Sequence, residues 1–513
     1  MSPILADVTP YLIALVAITT IGPLQFGYHL AELNAPQDVI TCRHSSPGNA
    51  LKQALKLLAP DKEWGKGIDC IPMTPADFAA ISAIFTVGGL VGALGAGPLT
   101  SRCGRRFCML ATAALYLFGS AIETFAKSVA AILIARILTG TGAGASTVIV
   151  PLYISEVAPP TKRGFFGAFT QVSINTGILF TQTLGFFLSH DSAWRWIFGV
   201  GVILALAHAA GLLLVVPESP AWTATVKGDV AEARRTLQRI RGRLINIDEE
   251  AESWGAGDIK PPTERERLLA EEGTEPEGSA GVLAPAVGGL RQSKPHLGFV
   301  QVVQDPLYRP AIIAVVGIMF AQQLCGINSI VMYSVSLLKD LLPISSGVLT
   351  IIISIINLIT TIASSPLPDR YGRKKCILYS ILGQGSSSLI LALSIRFGLK
   401  IFSAIAVLLF VACFALGLGP VPFILASELV GPEAVSATQS WALAASYIAT
   451  FLVAYLFPIV NEALNNKLGG AGWVYFIFAG FAALWALFVA RNVPETKGKK
   501  DADEVWGRAR RVD

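Results

Sequence analysis

The sequence predicts an all-α membrane protein with twelve transmembrane helices, arranged as two parallel bundles of six. The first observation is the composition of the 513 residues, which are 53% hydrophobic and 15% charged, with a mean hydropathy of +0.58. Soluble domains are about 25% charged, so lipid must solvate much of this surface. The second observation is a series of apolar segments of bilayer-spanning length, and the third is a repeat of motifs in the two halves of the chain.

The apolar segments set the predicted organisation of the chain. About twelve windows of about 20 residues are each long enough to cross a bilayer. They lie at residues 11–31, 77–99, 107–125, 129–153, 165–188, 195–216, 311–338, 345–367, 376–395, 401–426, 438–460 and 472–490. We therefore expect an N-terminal six-helix bundle over residues 1–216, a cytoplasmic linker, partly helical and partly disordered, over 217–305, a C-terminal six-helix bundle over 306–491 and a short cytoplasmic tail over 492–513.

Three motifs occur once in each half, in the same order. They are 97–106 with 365–374, 216–219 with 493–496, and Glu156 with Glu428. All three offsets are close to the 268 residues (373 minus 105) that separate Arg105 from Arg373. Matching offsets indicate that a six-helix unit is duplicated. Two such units with a cleft between them at the bilayer midplane are typical of secondary transporters.

Charge placement predicts the orientation and excludes several other functions. Basic residues concentrate in the short loops on one side of the predicted bundle, which is the cytoplasmic side by the positive-inside rule, and both termini lie there. The net charge of +5 is too small for nucleic-acid binding, and the 7 cysteines have no metal-ligand spacing. No nucleophile constellation or soluble catalytic domain is visible. We expect no enzyme activity, no cofactor, no bound metal and no nucleic-acid partner.

Several motifs, in order along nearly the whole chain, resemble those of the sugar porter family of the major facilitator superfamily. They are residues 25–37, the paired Arg-x-Gly-Arg loops, 151–156, 217–220, 322–328, 419–422 and 494–498. The residues around His29 and the run 323–331 are most similar to a fungal branch associated with the vacuole. The resemblance implies a carrier of a hexose-like solute that works by alternating access, either facilitative or proton-coupled. We expect a monomer in the plasma membrane or the vacuolar membrane.

Side-chain amides in the middle of the predicted helices are the candidate substrate ligands, because an amide both donates and accepts hydrogen bonds, as a sugar hydroxyl does. By resemblance they match sugar-contacting positions, and three aromatic residues complete the pocket by stacking on a sugar ring. The amides are Gln171, Gln182, Gln322, Gln323, Asn328 and Asn357, and the aromatic residues are Phe26, Tyr333 and Phe423. The alternative is that these amides bond neighbouring helices as packing contacts.

Charged residues at the predicted cytoplasmic edge form a candidate gate, whose ion pairs form when that edge closes and break when it opens. The first copy is Arg102, Arg105, Glu156, Arg163 and Glu218, and the second is Asp369, Arg370, Arg373, Glu428 and Glu495. The alternative is simple positive-inside topology. In the second copy, Val435 stands where the family pattern has an arginine. The two gates are therefore not expected to be equal.

Several positions depart from the glucose-transporter pattern and leave the solute open. Phe423 replaces a tryptophan, Ala415 a glutamate, and Ser446 and Thr450 two asparagines. Other hexoses, a polyol or a less polar solute therefore remain candidates. A carrier of a non-sugar solute and a non-transporting nutrient sensor or trafficking factor are the alternative functions.

His29 and two cysteines are further candidate sites. Proton-coupled family members carry aspartate at the position of His29, and histidine can take up a proton near neutral pH, so His29 is a candidate proton site. The alternative is a neutral imidazole with one hydrogen bond. Cys42 and Cys70 lie in the one long extracytoplasmic loop and are expected to form a disulfide there.

Overall fold

The computed structural model describes residues 8–42, 70–159, 162–242, 245–252, 299–338, 346–431, 434–499 and 502–507, and the regular elements in these ranges are helices. Ten of the described helices are long and apolar enough to cross a membrane. An eleventh span consists of Arg309–Leu324 and Ile327–Tyr333, which meet at an angle of 41°. Arg163–Leu188 is the twelfth, because its 26 residues extend about 39 Å although it carries several amides. The predicted twelve-helix fold is confirmed.

The spanning helices are numbered in chain order. They are α1 (Pro10–Thr19 and Ile21–Ala31), α2 (Pro75–Cys103), α3 (Arg105–Phe125), α4 (Val129–Val157), α5 (Arg163–Leu188), α6 (Arg195–Leu214), α7 (Arg309–Leu324 and Ile327–Leu338), α8 (Ser346–Ser364), α9 (Arg373–Arg396), α10 (Lys400–Leu416 and Val421–Glu428), α11 (Val435–Leu468) and α12 (Trp473–Asn492). We call α1 to α6 the N-terminal half and α7 to α12 the C-terminal half.

Local chemistry explains where several helices begin and break. Thr74 accepts a bond from the amide of Asp77, whose carboxylate accepts one from the amide of Thr74, so a capping box starts α2. Two predicted continuous windows are broken in the structure. The α7 break falls at Gly326, which has a φ of +101°, a conformation that only glycine adopts at low cost. The α10 break ends at Pro420, which has no N–H to continue the helix.

Glycines allow α2 and α4 to pack with their backbones in contact. A methyl group added at Gly88 or Gly92 would meet the backbone of α4, and one added at Gly140 or Gly144 would meet the backbone of α2. In a membrane, where burying apolar groups gives no advantage over lipid, such close approach supplies the packing energy that holds helices together.

The two halves meet in the middle of the bundle and at one of its ends. We call this the disulfide end, since Cys42 and Cys70 are bonded there with Cα atoms 5.3 Å apart. The side chain of Asn34, in the turn after α1, donates to the carbonyl oxygen of Val331 in α7 at 3.1 Å. In the middle, the ring of Tyr447 in α11 packs directly on Gly89 of α2. The opposite end, where α3 and α9 begin, is the arginine end.

A helix of the linker lies against the arginine end of the N-terminal half. Arg241, in Val230–Arg241, donates to the carbonyl oxygen of Val157 at 2.5 Å and pairs with Glu250 at 2.5 Å. Thr9 donates to the carbonyl oxygen of Ile240 at 2.6 Å. The segment expected to be disordered lies outside the described residues.

Candidate functional site

A network of buried amides joins α7 to α10 and α11. Gln322 donates from Nε2 to the carbonyl oxygens of Leu418 at 2.6 Å and Gly419 at 3.2 Å, which the α10 break leaves without helical partners. Gln323 donates to Oε1 of Gln322 at 2.9 Å. Asn328 donates to Oε1 of Gln323 at 2.5 Å, so the three amides predicted on α7 lie together.

Two hydroxyl groups of α11 complete this network. Gln323 donates to Oγ of Ser446 at 3.0 Å, and Asn328 donates to Oγ1 of Thr450 at 3.3 Å. These are the two positions where the family pattern has asparagine. The hydroxyl groups of Ser446 and Thr450 accept hydrogen bonds from the α7 amides. Serine and threonine are shorter than asparagine, but this part of the bundle remains polar.

The amides of α5 face α8 in the other half. Gln171 donates to Oδ1 of Asn175 at 3.2 Å, and Asn175 donates to Oγ1 of Thr361 at 2.8 Å. Oε1 of Gln182 and Oδ1 of Asn357 are buried, and each has no hydrogen-bond partner among the described residues. A buried acceptor without a donor in the described chain can accept a hydrogen bond from a hydroxyl group of water or of a solute.

Sequence reasoning missed Asn175 and Thr361. Asn175 follows Gln171 by four residues and therefore lies on the same face of α5, which is the signal that could have identified it. Nothing in the sequence of α8 distinguishes Thr361 from the neighbouring hydroxyl residues.

The three aromatic candidates lie in different surroundings. Phe26 stacks on Phe85 of α2, with ring centroids 6.1 Å apart. Tyr333 donates to the carbonyl oxygen of Ala454 at 2.8 Å and lies 5.7 Å from the ring of Phe457. Phe423 is 39% exposed, and the described part of the chain contains no ring contact to it.

A cavity of about 350 Å³ opens between the halves at the disulfide end. Tyr333 and Phe457 contribute aromatic surface, and Gln37, Asn461 and Asn465 contribute amides. Oε1 of Gln37 and Oδ1 of Asn465 are buried there, and neither has a bond to another described residue. The lining is therefore polar and aromatic, and Glu462 is its one ionisable carboxylate among the described residues.

At the arginine end, three residues of the first predicted gate, Arg105, Glu156 and Glu218, form one network. Arg105 pairs with Glu156 through Nη2 at 2.7 Å and Nε at 3.0 Å. Glu218 accepts hydrogen bonds from the main-chain amides of Arg105 at 2.7 Å and Arg106 at 3.1 Å. These amides lie at the N-terminus of α3, where the helix dipole also stabilises a carboxylate. Gly104 precedes them with a φ of +91° and leaves no space for a side chain beside Glu218, which explains the glycine of the motif.

The second network repeats these bonds in the C-terminal half. Arg373 pairs with Glu428 and with Asp369, both at 2.9 Å, and its main-chain amide donates to Glu495 at 2.8 Å. The central ion pair of the first network therefore has a counterpart in the second, while Val435 stands where the family pattern has a further arginine. Thr496 contributes a bond to Glu428 at 2.5 Å.

Both networks lie within their own half, and no ion pair among the described residues joins the halves. The side chains of Arg102, Arg163 and Arg370 are exposed at the arginine end and take no part in the two networks. Each central arginine therefore has its carboxylate partner in its own half, and the role of these pairs as a gate stays a prediction.

His29 lies inside the N-terminal half. Its Nδ1 is 2.9 Å from Oε2 of Glu32 and its Nε2 is 3.3 Å from Oγ of Ser120, while the ring stacks on Tyr116. Arg136 of α4 donates to Oε1 of Glu32 at 2.5 Å and to the carbonyl oxygen of His29 at 2.7 Å. The imidazole has no exposed surface.

The sequence analysis also missed the charged neighbours of His29. Glu32, Glu123 and Arg136 are all fully buried or nearly so, and Glu123 and Arg136 fall within predicted spans. Charged residues inside otherwise apolar windows were the available signal, because they are costly in a membrane and are retained for function.

Comparisons with known proteins place the chain among transporters. A family model described as "Sugar (and other) transporter" matches residues 15–502. A probable metabolite transport protein of Saccharomyces cerevisiae is 34% identical over 504 residues, covering 97% of this chain and 96% of that protein. The vacuolar protein sorting-associated protein 73 of the same yeast is 29% identical over 496 residues, which cover 96% of this chain and 95% of that protein. Mouse facilitated glucose transporter member 3 is 29% identical over 510 residues, which cover 97% of this chain and 92% of that protein.

Solved structures show the same fold. A partially occluded, inward-open structure of the xylose transporter of Escherichia coli has a TM-score of 0.69 at 23% identity, covering 96% of this chain and all of that one. A second structure of the same protein, described as a proton:xylose symporter and bound to a bromodeoxyglucose, also has a TM-score of 0.69, at 24% identity. This match covers 97% of this chain and 98% of that one.

Proposed function

Since the chain belongs to the sugar transporter family of the major facilitator superfamily, we propose that it carries a neutral, polyhydroxylated solute of the hexose class across its membrane by alternating access. The solute occupies the space between the α7 amides of one half and the α5 amides of the other. We propose Gln171, Gln182, Gln322, Gln323, Asn328 and Asn357 as its polar contacts, with Phe26, Tyr333 and Phe423 as the aromatic ones.

The observation that carries this proposal is the uncharged character of the buried polar groups on α5, α7 and α8. Gln323 and Asn328 sit in one bonded network, while Gln182 and Asn357 retain acceptors without partners. Amides within a membrane helix are costly unless they face partners or a wet cavity. A solute with many hydroxyl groups can donate to the free acceptors and accept from the amide N–H groups, which an apolar solute cannot do.

The departures from the glucose-transporter pattern support a hexose-like solute over an apolar one. Ser446 and Thr450 accept hydrogen bonds from the α7 amides in place of asparagine. Ala415 removes a carboxylate and therefore weakens the case for a cationic solute. A mouse relative described as a facilitated glucose transporter supports the same class.

We further propose that the arginine end faces the cytoplasm. The two arginine networks then hold the cytoplasmic ends of the helices within each half together while the halves rotate against each other. Arg105 with Glu156 and Arg373 with Glu428 support this role, because each pair fixes two helices of the same half. The yeast relative named for vacuolar sorting supports a vacuolar membrane over the plasma membrane. The carrier is proposed to work as a monomer.

Thermal stabilisation of the purified full chain in detergent tests the class of solute. We expect at least one of D-glucose, D-xylose and myo-inositol to raise the melting temperature, and glycine and succinate to have no effect. The Gln323→Ala variant should lose the response. Asn492→Ala is the control, because Asn492 is an exposed amide of α12 whose side chain bonds the carbonyl oxygen of Phe488 in its own helix. Stabilisation by glycine or succinate alone would overturn the proposal.

A second arm separates a carrier from a sensor or trafficking factor. A sensor binds the solute but does not exchange it across a bilayer. Binding of a sugar by the reconstituted chain without exchange of labelled sugar between vesicle interior and exterior would favour the sensor.

A further inference from the structure

The end of α11 extends beyond the part of the helix that spans the membrane. The 34 residues of α11 are about 51 Å long, whereas the hydrocarbon core of a bilayer is about 30 Å thick. The apolar window predicted from the sequence ends at residue 460, and residues 461–467 include three asparagines, a glutamate and a lysine. This polar end of α11 forms one wall of the cavity at the disulfide end.

The opposite wall of this cavity belongs to the N-terminal half. Its residues are Gln37, Thr41, Thr74 and Phe78. The disulfide between Cys42 and Cys70 ties the two segments of this wall together, and the main-chain amide of Ile71 donates to the carbonyl oxygen of Ile40 at 2.9 Å. The main chain beside Gln37 is therefore held by bonds of its own, and this preorganisation lowers the entropic cost of binding a ligand.

Each wall carries a buried acceptor without a donor. Oε1 of Gln37 and Oδ1 of Asn465 are buried, and neither accepts a hydrogen bond from another described residue. A buried polar atom without a partner costs free energy, so a ligand that donates to it is stabilised. A ligand that donates to both atoms would join the N-terminal half to the C-terminal half.

The other lining residues favour a sugar or polyol over an apolar or an ionic ligand. Tyr333 and Phe457 supply aromatic surface for the C–H face of a sugar ring, and the amides of Asn461 and Asn466 can both donate to and accept from hydroxyl groups. Glu462 is exposed, so water screens its charge, and the described lining contains no basic residue. The volume of about 350 Å³ lies within the range of about 300 to 1,000 Å³ that is usual for small-molecule sites.

This cavity is separate from the site between the α5 and α7 amides, which we call the central site. None of the six amides proposed for the central site is among the described lining residues of the cavity, and Tyr333 alone belongs to both. Along α11, Asn461 lies 11 residues (461 minus 450) beyond Thr450, which is about 16 Å by helical rise. The bond from Asn34 to Val331 also joins the halves at this end.

We propose that the cavity at the disulfide end is a second binding site for one sugar or polyol unit, held between the two halves. The inference rests on the proposed function for the class of solute. A ligand that bonds Gln37 and Asn465 at the same time binds only while this end is closed, so its binding favours the closed end. Glu462 and Asn466 are exposed, where water competes for their hydrogen bonds, so this site requires a higher sugar concentration than the central site.

Protection of an introduced cysteine in the full chain measures occupancy of the cavity. Asn466→Cys, in a Cys103→Ser background, places a thiol in the exposed lining. At least one of D-glucose, D-xylose and myo-inositol, at about ten times its dissociation constant, should slow alkylation of this variant by a maleimide about tenfold, because a one-site ligand then leaves about a tenth of the sites free. Lys467→Cys is the matched control, because Lys467 is an exposed residue of the same helix end outside the lining, and its alkylation rate should not change.

Further variants separate this site from the central one. Protection should persist with Gln323→Ala, which removes a contact of the central site, and should be lost with Asn465→Ala and with Gln37→Ala. Loss of protection with Gln323→Ala would mean that the cavity only responds to the central site, and protection by calcium or putrescine in place of the sugars would mean a cation site. Either result overturns the proposal. Absence of protection by all three sugars and polyols overturns it even if Asn465→Ala and Gln37→Ala fail to fold.

Exchange in vesicles tests the effect of this site on transport. The exchange rate of the protecting sugar should pass through a maximum and fall at the concentrations that protect Asn466→Cys, and Asn465→Ala should relieve this fall. Protection without such a fall would overturn the stabilisation of the closed end. Failure of the proposed function is distinguishable, because no sugar would then be exchanged while the thiol was still protected.

Discussion

Asn175 in α5 donates a hydrogen bond from Nδ2 to Oγ1 of Thr361 in α8, at 2.8 Å. The two residues belong to different halves, so this buried bond exists only while the halves are close at this level. Alternating access requires such contacts to form in one facing state and break in the other, because an equilibrium shifts only through differences between its states.

Thr361→Val should shift the population toward the opposite facing state. Valine keeps the shape but loses the hydroxyl acceptor, which removes about 0.5 to 1.5 kcal/mol from one state, or about two- to tenfold in population. Spin labels at Phe165 and Tyr371, two exposed positions at the arginine end, should report a changed distance distribution by pulsed EPR in a background without the exposed Cys103.

Thr176→Val is the control for this experiment. The Thr176 hydroxyl bonds to the carbonyl oxygen of Val172 in its own helix, so its loss should not favour either state. Equal distance distributions in wild type and Thr361→Val would remove the proposed role of the bond between the halves.

Replacement of the α7 amides should separate binding from stability. Asn328→Ala should raise the solute dissociation constant about two- to tenfold, the equivalent of one hydrogen bond, with little change in melting temperature. Gln322→Ala should in addition lower the melting temperature, because the Leu418 carbonyl oxygen loses its donor at the α10 break. Isothermal titration and thermal unfolding of the same samples check both values. If neither variant changes affinity, these amides are packing contacts.

The two arginine networks should contribute similarly to stability. Arg105→Ala and Arg373→Ala each remove charge-assisted bonds to a partly buried carboxylate, worth about 1.5 to 3 kcal/mol. Lys227→Ala should have almost no effect, because its pair with Glu232 is exposed. Thermal unfolding in detergent compares the three variants. An arginine variant that behaves like Lys227→Ala would indicate that its network does not hold the helices together.

Cys42 and Cys70 should resist alkylation until a reductant is added. Their disulfide closes a loop with a sequence separation of 28, and its loss in Cys42→Ser should cost about 2 to 4 kcal/mol of stability. Intact mass after alkylation without reductant measures the number of free thiols. Cys103 is the internal control, because it is a free and exposed cysteine that should react at once. Alkylation of Cys42 or Cys70 without reductant would mean that the bond is absent in the protein.

The fold could be predicted from the sequence because its signals are long and repeated. Twelve apolar windows and two copies of Arg-x-Gly-Arg each depend on many residues, so single exceptions do not change the result. The break of α7 at Gly326 was not predicted, because a glycine inside an apolar window is compatible with a continuous helix.

Site residues could be predicted from the sequence only where the residue type alone indicates a binding role. Amides in membrane helices are few, and the sequence analysis named Gln323 and Asn328 for that reason. The partner Thr361 is an ordinary hydroxyl residue whose role depends on which helices come together. The environment of His29 was missed for the same reason, since Glu123 is 94 residues away (123 minus 29) and becomes its neighbour only through packing.

The most direct test of the account is counterflow in vesicles that contain only this chain. Vesicles are loaded with unlabelled D-glucose and diluted into a trace of labelled D-glucose, with D-xylose and myo-inositol treated in the same way. The account predicts a transient accumulation of at least one label, which is independent of proton coupling and is weakened by Gln323→Ala. No accumulation of any of the three labels by folded, monodisperse protein would contradict it.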